Sequence, residues 1–246
     1  MCMNKYFIRR LKIYKRAPKF LLKKLKWKIF GIEKFWLRKS RDDHAPGSWE
    51  WLALTESRYG GFKIGMATGE NQGGDRMSPF YHGYGESYEE FLKPFLLLRE
   101  ERLTLVEVGI LNGSGLAIWC DLFPNARVIG LDLDLSNFQR NRPFLESQGA
   151  FSKNKPELFE FDQLDLPKAG NILRDVLGDT KVDIAIDDGC HTIESIKITF
   201  EAVKPHLNRN FVYFVEDNFE TYDALAHQYR EYRWFQRGEM VVFRKR

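Results

Sequence analysis

The chain has 246 residues, of which 43% are hydrophobic, and a formal net charge of +4. This length predicts one α/β domain with an extension, and no apolar run approaches the roughly 18 residues of a membrane span. The three cysteines are widely spaced, which argues against a disulfide framework and favours a cytoplasmic location. The first 40 residues also lack a continuous apolar core, so we expect no secretory signal peptide.

The first 41 residues form a strongly basic segment. They contain 15 Lys or Arg and one acid, Glu33, whereas the remaining chain contains 23 basic and 33 acidic residues. Between Pro18 and Gly31, apolar residues recur at helical spacing among lysines. We expect a basic amphipathic extension, residues 1–41, that docks peripherally on an anionic inner membrane surface. The alternative is packing on the acidic domain or on a partner subunit in a homo-oligomer. Nucleic-acid binding is not expected, because no recognisable nucleic-acid-binding motif accompanies the basic segment.

Residues 42–85 are rich in Gly, Ser, Tyr and charged residues. They predict a loop-rich lid or substrate segment, with one short helix around Trp49–Ser57. A helix over Glu86–Leu98 then leads into the main domain, residues 86–246.

A glycine-rich loop follows the first predicted strand of this domain. The strand is Leu103–Val108, the loop is Gly109–Gly115, and a second strand, Ala126–Leu131, ends in Asp132. Glycines allow the backbone to approach a nucleotide closely, and the start of the following helix presents free N–H groups. An acidic residue at position 132 can bind both hydroxyls of a ribose. The order of these elements predicts a nucleoside-binding site.

The spacing of the glycines favours one nucleoside cofactor over another. Dinucleotide-binding loops have the pattern G-x-G-x-x-G, whereas this loop reads G-x-x-x-G-x-G. Preceded by Glu107, it resembles the first motif of class I S-adenosylmethionine-dependent methyltransferases. Adenosylmethionine has no phosphates to cradle, and a glutamate is tolerable beside its cationic methionine end. The glycine spacing therefore makes a nicotinamide-dependent oxidoreductase the less favoured interpretation of this loop.

The third strand is predicted over Leu158–Phe161. Asp162 at its end, with the neighbouring Gln163, is expected to contact the adenosine of the cofactor. We therefore assign the cofactor contacts to Glu107, Gly109, Asn112, Gly113, Gly115, Asp132, Asp162, Gln163 and Asp187.

Two carboxylate clusters follow two further strands. Asp187 and Asp188 come directly after Val182–Ile186, and Glu216 with Asp217 comes after Phe211–Val215. Open α/β sheets bind their ligands at the carboxyl ends of strands, where neighbouring strands would bring the clusters together. Several carboxylates at one point require a cation, and oxygen ligands favour Mg²⁺, Ca²⁺ or Mn²⁺.

Within these clusters the metal ligands are predicted to be Asp188, Glu216 and Asp217. Asp187 and Asp188 face opposite sides of a strand, so only one of them can point at the metal. His191, three residues after Asp188, is a candidate general base. Cys190 beside it is interpreted as a small residue in a tight turn, and not as a nucleophile.

The final elements complete a Rossmann-like, doubly wound α/β sheet. Thr192–Leu207 reads as a helix packed on the core, with apolar residues on one face. The last strands, around Tyr229–Phe235 and Met240–Phe243, form a hairpin about Gly238. This hairpin would add an antiparallel edge to a mostly parallel sheet.

From about Gly73 to Arg246 the chain resembles the metal-dependent sugar O-methyltransferases of the macrocin and mycinamicin type, and also the cephalosporin-hydroxylase-like proteins. The resemblance rests on motifs at Glu107–Gly109, Asp162–Asp165, Ile186–His191 and Glu216–Asp217, and on an N-terminal stretch containing Gly74-Asp75-Arg76, His82-Gly83-Tyr84 and Tyr88. Two departures are Cys190 in place of serine and Gly74-Asp75-Arg76 in place of G-T-D-K.

The resemblance implies transfer of a methyl group from S-adenosylmethionine to a sugar hydroxyl. It also implies magnesium on Asp188, Glu216 and Asp217, and His191 as the base. The basic N-terminus favours an acceptor in a cell-surface glycan or glycolipid. A catechol-type small molecule would present similar vicinal oxygens and is the alternative acceptor, and a non-catalytic membrane-docked scaffold is a further alternative.

Overall fold

The computed structural model describes residues 40–60, 75–77 and 82–246. The predicted basic helix between Pro18 and Gly31 lies outside the described residues, as do residues 61–74 and 78–81 of the predicted lid. In the part of the chain that is described, no helix is both long enough and apolar enough to cross a membrane.

Helices and strands alternate through most of the described chain. Two helices come first and are followed by seven strands with five intervening helices: α1 (Trp49–Tyr59), α2 (Gly85–Leu96), β1 (Thr104–Val108), α3 (Ser114–Leu122), β2 (Arg127–Asp132), α4 (Ser136–Ser147), β3 (Glu157–Glu160), α5 (Leu166–Leu177), β4 (Val182–Asp187), α6 (Ile193–Val203), β5 (Leu207–Val215), α7 (Thr221–Leu225), β6 (Tyr232–Arg237) and β7 (Met240–Lys245). Short 3-10 turns occupy Arg41–Asp43 and Lys204–His206.

The seven strands form one sheet in the order β3-β2-β1-β4-β5-β7-β6. The first five are mutually parallel, and β7 pairs antiparallel with both β5 and β6. The predicted Rossmann-like sheet with an antiparallel C-terminal hairpin is therefore confirmed. The predicted helix over Thr192–Leu207 is shorter in the structure, because Pro205 lacks the N–H that would continue it.

Alternate residues of the central strands pack into two cores, one on each face of the sheet. One core joins Leu105 and Ile184 to buried residues of α1, α2 and α3. The other joins Val106 and Ala185 to residues of α5 and α6. The short helix predicted in residues 42–85 is confirmed as α1. It buries Trp51 and several neighbours in the first core, so this part of the segment belongs to the domain.

Parallel register places the motif-bearing loops at one edge of the sheet. Val108 of β1 is in register with Asp187 of β4, which in turn is in register with Val215 of β5. The backbone N–H of Asp188 donates to the carbonyl of Val108 at 2.8 Å, and the N–H of Glu216 donates to that of Asp187 at 2.9 Å. The glycine loop and both carboxylate clusters therefore leave the sheet side by side.

Candidate functional site

A cavity of about 530 Å³ opens at this edge of the sheet. Nine of the predicted site residues line it: Gly109, Asn112, Gly115, Asp132, Asp162, Gln163, Asp188, His191 and Asp217. The four other predicted residues, Glu107, Gly113, Asp187 and Glu216, do not line it. The predicted cofactor loop and most of the predicted metal site thus share one cavity.

Two glycines of the loop have left-handed backbone. Gly109 and Gly113 have φ values of 84° and 81°, where a side chain is strained. A Cβ at Gly109 would lie 2.3 Å from the backbone oxygen of Asp188, and one at Gly113 would lie 2.3 Å from the ring of Phe138. Gly109 therefore permits the close approach of the two loops, whereas Gly113 permits the packing of α4.

The Asp132 carboxylate is hydrogen-bonded to the backbone of the glycine loop. Its Oδ2 accepts hydrogen bonds from the backbone N–H groups of Ile110 at 2.9 Å and of Leu111 at 3.0 Å. The glycine loop therefore holds the carboxylate in place. Leu111 and Leu133 are exposed apolar side chains that line the cavity beside it, so they provide apolar surface for a flat ring.

Gln163 joins the loop after β3 to the loop after β4. Its amide donates to Oδ1 of Asp187 and to the hydroxyl of Thr199, both at 2.8 Å, and its oxygen accepts from the backbone N–H of Cys190 at 2.7 Å. Burial raises the pKa of Asp187 to about 7 despite hydrogen bonds from Gln163 and Gly189. Asp187 thus faces Gln163 inside the protein, and a contact between Asp187 and the cofactor stays a prediction.

The candidate metal centre combines Asp188, His191 and Asp217. One ligand atom from each lies within 4.8 Å of the others. His191 and Asp217 both have left-handed backbone, with φ values of 57° and 55°. Such conformations cost on the order of 1 kcal/mol each and cluster at functional sites. His191 is followed directly by Thr192, which caps α6 by accepting from the N–H of Ser195.

Glu216 takes a different position from its neighbour Asp217. It is fully buried, the hydroxyl of Tyr88 donates to its Oε1, and its Oε2 lies 3.1 Å from Nε of Arg76. The structure therefore places Glu216 beside an arginine and does not group its oxygens with those of Asp188 and Asp217. A role for Glu216 as metal ligand stays a prediction.

Arg76 faces three carboxylates. Its Nη1 lies 2.6 Å from Oε1 of Glu107 and 3.4 Å from Oδ2 of Asp188, in addition to the contact of Nε with Glu216. Glu107 is fully buried in this pair. In the structure it contacts Arg76, and a contact between Glu107 and the methionine end of the cofactor stays a prediction.

The electrostatics of the carboxylates Asp188, Glu216 and Asp217 favour the binding of a cation in addition to Arg76. Burial, and then the charge of Glu216, raise the pKa of Asp188 well above its usual range, although Arg76 opposes this shift. Burial also raises the pKa of Glu216. Burial acts to raise the pKa of Asp217 as well, but the neighbouring His82 outweighs it, so that this pKa is lowered. A cation stabilises crowded carboxylates in their charged form, so the residues present fit a divalent ion.

Four residues to which sequence analysis gave no role complete the surroundings of the carboxylates. They are Arg76, His82, Tyr84 and Tyr88. The Tyr84 hydroxyl donates to Oδ1 of Asp217 at 2.5 Å, and Nδ1 of His82 lies 3.1 Å from the same atom. All four lie in the N-terminal stretch that contributed to the family resemblance, so the signal was present in the sequence. Their spatial partners, more than 100 residues away for Tyr84 and Tyr88, could not be read from it.

The sequence is similar to curated sugar O-methyltransferases, although no protein-family model matches it. It is 29% identical over 143 residues to the 8-demethyl-8-alpha-L-rhamnosyl tetracenomycin-C 2'-O-methyltransferase of Streptomyces olivaceus, covering 55% of this chain and 33% of that protein. It is 26% identical over 151 residues to the mycinamicin VI 2''-O-methyltransferase of Micromonospora griseorubida, covering 58% and 33%. The matches thus span about a third of the length of these relatives.

Solved methyltransferase structures share the fold. The MycE methyltransferase of the mycinamycin biosynthetic pathway, in complex with Mg and SAH, aligns with a TM-score of 0.55 at 18% identity, over 79% of this chain and 54% of that chain. The calicheamicin methyltransferase CalS11 aligns with a TM-score of 0.50 at 13% identity, over 77% and 91%. The chain therefore has the fold of a class I S-adenosylmethionine-dependent methyltransferase, and its sequence is similar to the macrocin and mycinamicin type of sugar O-methyltransferases.

Proposed function

We propose that this protein transfers a methyl group from S-adenosylmethionine to a hydroxyl group of a sugar. The observation that carries the proposal is the shared cavity: the glycine loop with Asp132 and the group of Asp188, His191 and Asp217 open into the same space. A methyl donor bound over the loop would therefore face the candidate metal centre. The similarity to curated sugar O-methyltransferases supports the same activity.

Each part of the cavity has a role in this proposal. When bound, adenosylmethionine supplies the electrophilic methyl group, and a divalent cation acts as a Lewis acid that makes a nearby hydroxyl more acidic. Asp132 binds the ribose, and Asp162 with Gln163 borders the adenosine. His191 takes the proton from the acceptor hydroxyl. The two loops that line the cavity would hold donor and acceptor next to each other, and such positioning can contribute about 7–11 kcal/mol to lowering a barrier.

Magnesium is the proposed cation, because the available ligands are carboxylate oxygens. Asp188 and Asp217 would hold it, with His191 beside them as the base. The MycE structure contains Mg, which supports this choice. The glycan context is proposed from charge alone: a basic segment at residues 1–41 suits an acceptor carried at a membrane surface.

A catechol-type acceptor is the second candidate, because two vicinal oxygens would meet the same carboxylates. The sugar acceptor is favoured because one of the curated relatives is named for a rhamnosyl substrate.

Calorimetry tests the cofactor part of the proposal. Adenosylmethionine and S-adenosylhomocysteine would be titrated separately into the full chain, with magnesium and with EDTA, and NAD⁺ and NADP⁺ would serve as controls. We expect micromolar binding of both adenosyl compounds and none of the dinucleotides. Binding of a dinucleotide alone would contradict the proposal and favour an oxidoreductase. Methyl transfer to glycosylated acceptors and to catechols, followed by mass spectrometry, then separates the two acceptor classes.

A further inference from the structure

A single buried arginine occupies the centre of the carboxylate cluster. Arg76 is 9% exposed and touches Glu107, Asp188 and Glu216, which follow or lie on the neighbouring strands β1, β4 and β5. A guanidinium group is charged at all accessible pH values and offers five donors in a rigid plane. It therefore brings a permanent positive charge to the place where a divalent cation is proposed.

The guanidinium group of Arg76 fits beside the glycine loop because Gly115 has no side chain. A Cβ at Gly115 would lie 2.3 Å from Oε1 of Glu107 and 2.5 Å from Nη1 of Arg76. The third glycine of the loop thus accommodates the Arg76–Glu107 ion pair as well as any ligand in the cavity. This observation indicates that the arginine belongs to the architecture of the site.

The arginine divides the carboxylates into two sets. Arg76 and the Tyr88 hydroxyl engage the two oxygens of Glu216 separately, and the side chain is fully buried. Asp217 is turned the other way, toward His82 and Tyr84, and lines the cavity. Asp188 also lines the cavity and keeps only a longer contact of 3.4 Å with Arg76. Two carboxylates therefore remain on the cavity side, and the third is retained by the arginine.

We infer that Arg76 is a built-in counter-cation that withholds Glu216 from the divalent ion and so limits the affinity of the site for that ion. Divalent-cation affinity depends on the number of charged ligands, and a fixed positive charge nearby repels the ion. Removing Arg76 would release Oε2 of Glu216, while Tyr88 still donates to Oε1, and would remove one repelling charge at the same time. The inference rests on the cation site of the proposed function, and not on the identity of the methyl acceptor.

Cation binding by Arg76→Met in the full-length chain tests this inference without any activity assay. Mn²⁺ and Mg²⁺ would be titrated calorimetrically, and melting temperatures would be recorded with each ion and with EDTA. We expect R76M to bind Mn²⁺ on the order of ten-fold more tightly than the wild type. We also expect a larger rise in its melting temperature on adding the ion, because the ion takes over the neutralising role of the arginine.

Two further substitutions, which give three further variants, identify the source of the gain in Mn²⁺ affinity. Glu216→Gln in the wild-type background should change Mn²⁺ affinity by less than about three-fold, whereas in the R76M background it should remove most of the gain, as a double-mutant cycle would report. Arg127→Met is the matched control, because Arg127 forms an ion pair with Glu157 at 2.7 Å and neither residue lines the cavity. It should leave Mn²⁺ affinity unchanged.

Several results would overturn the inference. They are equal or weaker Mn²⁺ binding by folded R76M, a gain that persists in R76M/E216Q, and the absence of Mn²⁺ binding in every variant including the wild type. If R76M does not fold, Arg76→Lys replaces it, since one ammonium group cannot engage Glu107 and Glu216 as the planar fork does. Unchanged Mn²⁺ affinity in R76K would then contradict the inference. A wild type that binds Mn²⁺ but not adenosylmethionine would contradict only the proposed function.

Discussion

The side-chain amide of Asn218 donates a hydrogen bond of 2.8 Å to the backbone carbonyl of His191. This bond ties the loop after β5 to the loop after β4. Oδ1 of Asn218 accepts from the N–H groups of Glu220 and Thr221 at the start of α7. One buried residue thus connects the strained backbone at His191 with that at Asp217, its chain neighbour.

Asn218→Asp separates these two roles. Aspartate keeps the acceptor for α7 but cannot donate to the His191 carbonyl, so we expect the unfolding free energy to fall by about 1 kcal/mol. Turnover should fall more, by about ten- to a hundred-fold, because small displacements of a catalytic group are costly. Asn218→Ala, which loses both roles, should lower the stability further. Chemical denaturation and methyl-transfer rates check this, and full turnover by N218D would contradict it.

His191→Asn tests the general base. Asparagine tolerates the left-handed backbone of this position better than alanine does, so loss of the imidazole is the main change. We expect turnover to fall by about 10²–10⁴-fold and S-adenosylhomocysteine affinity to remain. His206→Ala, on the 3-10 turn after α6, is the control and should keep normal rates. Loss of cofactor binding in H191N would instead indicate a structural role.

Asp132→Ala tests the ribose contact. The carboxylate accepts from two backbone N–H groups of the glycine loop, and charged hydrogen bonds contribute about 1.5–3 kcal/mol each. Alanine removes these bonds to the glycine loop together with the proposed bonds to the ribose. We therefore expect calorimetry to show at least about a ten-fold lower affinity for S-adenosylhomocysteine. Asp134→Ala is the matched control, because the Asp134 side chain is exposed and accepts its hydrogen bonds from the backbone N–H and the hydroxyl of Ser136. Its backbone N–H, which donates to Oδ1 of Asp132, is kept in the variant. Equal affinities for the two variants would refute the role of Asp132.

Gly115→Ala tests whether the glycine loop accommodates the buried ion pair. The added Cβ would meet Glu107 and Arg76 below 3.0 Å, and such overpacking costs about 1–3 kcal/mol. Gly170 in α5 has no atom within 4 Å of an added Cβ, so Gly170→Ala should stabilise the protein by about 0.5–1 kcal/mol. Denaturant melts of both variants measure these opposite changes, and a neutral effect of G115A would contradict the packing argument.

Membrane docking by the basic segment is tested in the full-length chain. Replacing Lys23, Lys24, Lys26 and Lys28 with Gln removes four positive charges, each of which contributes about 1 kcal/mol near an anionic surface. We expect the wild type to co-sediment with phosphatidylserine vesicles at low salt and the variant to bind much less. Vesicles of neutral lipid are the control. Equal binding of both proteins to anionic vesicles would refute this role of the lysines.

The pattern of strands, loop and helix in the sequence determined the fold. Short apolar runs, a glycine loop before a helix and acidic residues directly after strands are local signals, because they depend on backbone conformation within a few residues. They were sufficient to predict the sheet, its antiparallel edge, and the position of the two carboxylate clusters beside the glycine loop. The predicted grouping of Glu216 with Asp188 and Asp217 around one ion stays a prediction.

Only the tertiary structure decided which partners these side chains take. Glu216 and Asp217 are adjacent in the chain, yet one meets Arg76 and Tyr88 while the other meets His82 and Tyr84. Successive side chains leave a strand end in different directions, and what lies in each direction depends on a segment more than 100 residues away. The charge of Arg76 could be read from the sequence, but its position among the three carboxylates could not. Long-range packing across β1, β4 and β5 sets that position, and local propensity carries no information about it.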